Sequence, residues 1–124
     1  MALYFSDRLA CGSCHGGIGF NNEFFARGST PSTQLVNNGL IVGQQFRIPT
    51  MRNIETTAPY MHDGRFKTLD EVIDFYAEGP APQHNLTGFE LSAAERDELL
   101  AFLASLTDAK FLSNPDFQNP RQDN

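Results

Sequence analysis

The sequence predicts an all-α fold, and three observations carry that prediction. Leu69, Val72, Ile73 and Tyr76 follow the i, i+3, i+4, i+7 spacing of one helical face. Ser92 and Glu95 form a capping box ahead of Leu99, Leu100, Phe102, Leu103 and Leu106. No stretch alternates apolar and polar residues as a half-buried strand requires. At 124 residues the chain has room for one core and not for two. We therefore expect a single domain over 1–124. Its 40% hydrophobic content, with eleven Phe and no Trp, is that of a globular protein.

Taken in order, residues 3–9 form a short amphipathic segment that leads directly into "ACGSCHGG", residues 10–17. Residues 16–67 are rich in Gly, Asn, Thr and Pro, which predicts loop with one or two short helices. Thr68 suits the N-cap of the next helix, with Asp70 and Glu71 in its first turn where the helix dipole favours acids. Gly79 is placed to end that helix and Pro80 prevents its continuation. Ser92 opens the last helix. A polar tail with two prolines is expected over 113–124.

Nine basic against fifteen acidic residues give a net charge of −6 and a pI near 4.8. That balance argues against nucleic acid as a partner, since nucleic-acid binding needs a clustered basic face. It suits solubility, or docking to a partner with a basic patch. No apolar run approaches the roughly 18 residues of a membrane span. The opening "MALYFSDRLA" lacks the basic and apolar regions of a signal peptide. This leaves two expectations, a cytoplasmic chain or a mature segment whose leader has been removed.

Both cysteines of the chain, Cys11 and Cys14, are separated by two residues, with His15 directly after the second. A redox dithiol of the thioredoxin kind would follow a strand in a βαβ pattern, and no such pattern is present. A zinc site needs four ligands, and Cys11, Cys14 and His15 could gain a fourth only from His62 or His84. Adjacent Cys and His are awkward ligands for one small cation. A covalent haem fits the spacing directly: each thiol adds across a vinyl group and the following His ligates the iron. The macrocycle would also supply a core to a domain that is largely loop. A chance CxxCH with buried, inert cysteines is the remaining alternative.

Three separated segments resemble one known family in the right order. They are "LYFSDRLACGSCHGGIGFNN", "FRIPTMRNIETTAPYMHDGRFKTLDEVIDFYAEG" and "LSAAERDELLAFLASLT". All three are similar to the C-terminal half of the bacterial di-haem cytochrome c peroxidase/MauG proteins. The resemblance implies a cytochrome c-like domain with long loops around one covalent haem c, and periplasmic residence, where such haem is attached. It also implies an electron-transfer role within a peroxide-reducing oxidoreductase. The family carries two CxxCH motifs on two domains, with peroxide reduced at the N-terminal haem; this chain has one. The peroxide-binding haem, its acid/base carboxylate and the residue bridging the haems have no counterparts here. The expected partner is therefore an N-terminal haem domain of this family or a small redox donor, and no catalytic residue is assigned. The alternatives are a stand-alone monohaem cytochrome c and a peroxidase with an open sixth position. The missing leader favours a domain cut from a longer enzyme.

His15 is expected as the proximal ligand, with its other ring nitrogen donating to a backbone carbonyl in the loop near Pro49. The sixth ligand stays open. Met61 is a candidate because His/Met ligation is common in cytochromes c, and Met51 is a weaker one. The resemblance puts Tyr76 where the family places its distal ligand, Met in the peroxidases and Tyr in MauG. Helical periodicity independently turns Tyr76 inward, so Tyr76 is preferred to Met61. A core aromatic is the plainer alternative. Arg52 is expected to neutralise a haem propionate, against the plain reading of a surface arginine. By the resemblance, Thr57 and Pro59 match positions whose carbonyls bind calcium between the two domains, where the partner Asn lies outside this chain. His62 reads as a structural histidine near the haem edge, and His84 as exposed.

Overall fold

The structure, a computed structural model, describes residues 1–21, 48–79 and 87–118. Four α-helices are present among them: α1 (Cys11–Cys14), α2 (Leu69–Ala77), α3 (Ala93–Ala104) and α4 (Ala109–Ser113). Two 3₁₀ turns cover Ile54–Thr56 and Pro115–Phe117. Among the described residues there is no strand, only an isolated antiparallel bridge between Tyr60 and Phe66. The described residues adopt the predicted helical class.

Residues 3–9 form successive turns instead of a regular helix. The hydroxyl of Ser6 donates to Leu3 O at 2.7 Å and accepts from Leu9 N, so a side chain competes with the helical ladder there. Tyr4 and Leu9 still reach the core.

α2 begins at Thr68, as expected. Thr68 Oγ1 accepts from Glu71 N while Glu71 Oε2 accepts from Thr68 N at 2.9 Å, a full capping box. Its end is set by Gly79, whose φ of +74° favours glycine. A Cβ there would also lie 2.6 Å from the backbone of Thr87, so the glycine lets the chain after α2 return against it. α3 opens on the predicted Ser92 box.

The core gathers Tyr4 and Leu9 from the N-terminal turns, Ile73 from α2, and Leu99 and Leu103 from α3. Phe20, Phe102 and Cys11 pack at its edge. Asn53 clamps the Ile54–Thr56 turn to the end of α3, donating through its N–H to Leu106 O and accepting from Asp108 N on Oδ1. Beyond α3 the expected polar tail is partly structured. Asp108 caps α4 and Asn114 caps the 3₁₀ turn at Pro115–Phe117, because Asp and Asn side chains satisfy orphan N–H groups locally. The rest of that tail, His84 and most of the 16–47 loop lie outside the described residues.

Arg96 on α3 reaches Asp70 and Asp74 on α2, and Arg8 pairs with Glu95. The N–H of Ser92, then Arg8 and the Ser92 hydroxyl, hold the Glu95 carboxyl down at about 2. A carboxylate depressed on folding adds stability above its unfolded value, near 4.3, and loses it as pH falls toward about 2. Glu95→Gln should thus be less stable than wild type at pH 7 in urea unfolding. The gap should close progressively between roughly pH 4.5 and pH 2. A gap independent of pH would show that the charge of Glu95 contributes nothing.

Candidate functional site

Ala10, with φ 54°, turns the chain so that α1 starts at Cys11. Cys11 and Cys14 stand at i and i+3, which lie on one side of a helical turn. His15 follows as the C-cap, its N–H bonded to Cys11 O at 2.9 Å. No disulfide joins the two cysteines, and both are half-buried. Phe5 lies over the turn, where a Cβ on Gly12 would come within 2.5 Å of its ring.

His15 is fixed from several sides. Its Nδ1 is 3.1 Å from Pro49 O and 3.3 Å from Phe20 O. Both partners are carbonyls, so Nδ1 carries the hydrogen and Nε2 holds the lone pair. The Pro49 carbonyl lies in the loop that the sequence pointed to. Burial lowers the pKa of the ring and keeps it neutral, against the opposing pull of the two carbonyls. Tyr4, 2% exposed, donates its hydroxyl to His15 O at 3.0 Å. Burial, with the nearby Cys11 and Cys14, raises that phenol far above its usual value, so it remains a donor. Tyr4 was not singled out from sequence. Only its aromatic character just ahead of the motif signals it, and no spacing rule ties it to His15.

Burial also pushes the Cys11 thiol up to about 11, with Cys14 adding to the rise. A redox dithiol needs the opposite, a lowered thiol pKa. The zinc alternative also lacks its ligand set: among the described residues no group of three or more His, Cys, Asp or Glu could hold a metal ion. His62 is exposed in the turn after Tyr60.

The remaining candidates separate clearly. Tyr76, on α2, is half-buried; burial raises its phenol, and the proximity of Cys14 and then Cys11 raises it further. α2 therefore brings Tyr76 within electrostatic range of both sulfurs. Met61 is half-buried in the turn between Tyr60 and Phe66 with a left-handed backbone, φ 69°. Met51 is half-buried at the start of the turn that carries Ile54. Arg52 is exposed, and its Nη2 donates to Ile18 O at 2.8 Å, docking it on the loop that follows His15. Thr57 and Pro59 are both exposed, and the Thr57 hydroxyl donates to Ile54 O.

The residues fit a haem on an observation of the fold itself. Seven hydrophobic side chains are buried among the described residues, and the deepest, Tyr4 and Leu99, keep 2% and 3% exposure. This is a thin core, with Cys11 packed at its margin and His15 following in the same CxxCH turn.

A helical chain with this CxxCH turn and a carbonyl-anchored histidine is arranged as a cytochrome c-type domain would be. More narrowly, it is a homologue of the cytochrome c peroxidase and MauG proteins, matching their C-terminal part. It is 42% identical over 82 residues to cytochrome-c peroxidase IdrP2 of Denitromonas iodatirespirans, covering 63% of this chain and 22% of that protein. It is 28% identical over 113 residues to the methylamine utilization protein MauG of Methylorubrum extorquens, covering 82% and 32%. The crystal structure of a MauG-like protein associated with microbial copper homeostasis superposes with a TM-score of 0.73 at 34% identity. That match covers 96% of this chain and 49% of the other. The chain thus spans a third or less of the length of these curated relatives. No protein-family model matches it. Among the described residues no helix is long and apolar enough to cross a membrane.

Proposed function

We propose that the chain is a single c-type cytochrome domain that holds one haem covalently and relays electrons within a peroxidase-type oxidoreductase of the periplasm. Cys11 and Cys14 would carry the two thioether links, and His15 Nε2 would ligate the iron. Bound, the haem supplies one-electron exchange at iron. The protein's part is to hold the ligand nitrogen in one tautomer, exclude water and set the charge around the ring. The observation that carries this reading is the anchoring of His15 Nδ1 by the Pro49 and Phe20 carbonyls. Such an outer partner fixes ring orientation and raises ligand basicity.

Tyr76 is the sixth ligand in this reading, supported by its half-buried place on α2 within electrostatic range of the cysteines, and Met61 is its competitor. Arg52 is held over the loop after His15, in the right region to neutralise a propionate. Calcium forms no part of the proposal, because two exposed residues fall short of the six to eight oxygens that ion takes. The electron acceptor is an N-terminal haem domain of the same family, and a small redox protein is the donor.

A second reading follows from the relatives' names: a peroxidase in its own right, with an open sixth position. Absorption spectra and mass decide between them on protein matured with the haem-attachment machinery. We expect an added mass of roughly 0.6 kDa that survives acid-acetone extraction. A six-coordinate spectrum and peroxide turnover close to that of free haem should accompany it. A five-coordinate, high-spin iron with turnover far above free haem would establish the peroxidase reading instead. Complete loss of haem on extraction would remove both.

A further inference from the structure

Among the described side chains one buried polar atom has no hydrogen-bond partner, Nη2 of Arg65. Arg65 Nε meets both carboxylate oxygens of Asp63, at 3.1 and 3.0 Å. Asp63 is thus engaged through Nε and leaves Nη2 out of the two-nitrogen fork usual for an arginine–carboxylate pair. The guanidinium carbon lies 5.8 Å from the Phe66 ring centroid and 5.6 Å from that of Phe75, within cation–π range. The side chain is 24% exposed, so part of the cation meets water while Nη2 is enclosed.

A guanidinium does not give up its proton, so Nη2 remains a donor at every working pH. A buried donor without an acceptor costs about 1–3 kcal/mol, and native structures carry few of them. Its place in the fold says what the acceptor is. Phe75, over whose ring Arg65 lies, meets the ring of Tyr76 at 5.4 Å, and Cys14 and Cys11 are close enough to act electrostatically on the Tyr76 phenol. Arg65, Phe75 and Tyr76 thus form one row of packed side chains, and its Tyr76 end lies within electrostatic range of the cysteines. Arg52 contrasts with it, because its own Nη2 is already given to Ile18 O.

Resting on the haem reading above, we propose that Arg65 Nη2 donates to a carboxylate that this chain does not supply, a propionate of the bound haem. A propionate is the carboxylate that attachment at Cys11 and Cys14 brings into this region, and the planar guanidinium is the cation best matched to it. Arg65 thereby seats the macrocycle and favours the reduced, less positive iron through its charge. Asp63, Phe66 and Phe75 hold the guanidinium in place before the haem arrives.

The test uses matured, haem-loaded full chain as wild type, Arg65→Gln and Arg65→Lys. Haem content is read by mass, the propionate bending mode by resonance Raman, and the midpoint potential by spectroelectrochemistry. We expect all three proteins to carry haem and the propionate mode to shift in both variants. The potential should fall in Arg65→Gln and stay nearer wild type in Arg65→Lys, which keeps the charge. If Arg65→Gln does not fold, the Raman shift in Arg65→Lys decides. A propionate mode identical to wild type in haem-loaded variants overturns the contact, even if the potential moves, and assigns the acceptor to another polypeptide. A wild type without covalent haem overturns the haem reading, and this inference falls with it.

Discussion

Replacing Cys11 and Cys14 together by serine abolishes covalent haem, taking the matured protein from about one haem per chain to none that survives acid-acetone extraction. Serine is close to cysteine in size, so α1 keeps its shape and only the chemistry of attachment is lost. Each single variant keeps one thiol and should retain haem through one thioether, at lower yield. The double variant should also unfold much earlier. The described core has only seven buried hydrophobic side chains, and the haem would complete it. About 1 kcal/mol corresponds to roughly 4 °C in a domain of this size. Loss of several kcal/mol of apolar contact then lowers Tm by more than roughly 10 °C. Thermal unfolding followed by far-UV circular dichroism measures this. Unchanged haem content in the double serine variant would show that these sulfurs do not attach it.

Tyr76→Phe changes the colour and the potential of the holoprotein while leaving it folded. The substitution keeps the ring, its contact with Phe75 and its place on α2, and removes only the oxygen. A free phenol titrates near 10, and the buried setting of Tyr76 raises it further. A directly bound metal ion inverts that preference and holds an oxygen ligand deprotonated. A phenolate is a hard, charged donor, so it stabilises ferric over ferrous iron and draws the potential below that of a His/Met haem. With Tyr76 as ligand, the Phe variant becomes five-coordinate or takes up water, and its potential rises. Met61→Leu should then leave the spectrum as it was. The opposite pattern, an unchanged Tyr76→Phe and a Met61→Leu that loses a far-red thioether–iron band, makes Met61 the ligand and Tyr76 a core aromatic.

The parts of this protein that were legible in its sequence are those closed within one or two helical turns. The 69–77 helix, its Thr68 cap and the Gly79 stop follow from residues at most four apart, and so does the Ser92 box. The Cys11–Cys14 turn with His15 behind it is of the same kind. The 3–9 segment, expected only as a short amphipathic stretch, folds as turns in which the Ser6 hydroxyl donates to Leu3 O and accepts from Leu9 N.

What only the tertiary structure decided are the contacts that span long loops. Phe20 O joins the expected Pro49 carbonyl at His15 Nδ1, and Tyr4 reaches across 11 residues to the His15 carbonyl. Tyr76 comes within electrostatic range of the cysteines, while Nη2 of Arg65 is enclosed with no partner. Spacing along the chain encodes which groups a helical turn brings together, because that geometry repeats every 3.6 residues. No such period relates residues joined by loops. Their meeting is set by how the whole chain packs its few apolar side chains, and by which polar groups that packing leaves in need of a partner.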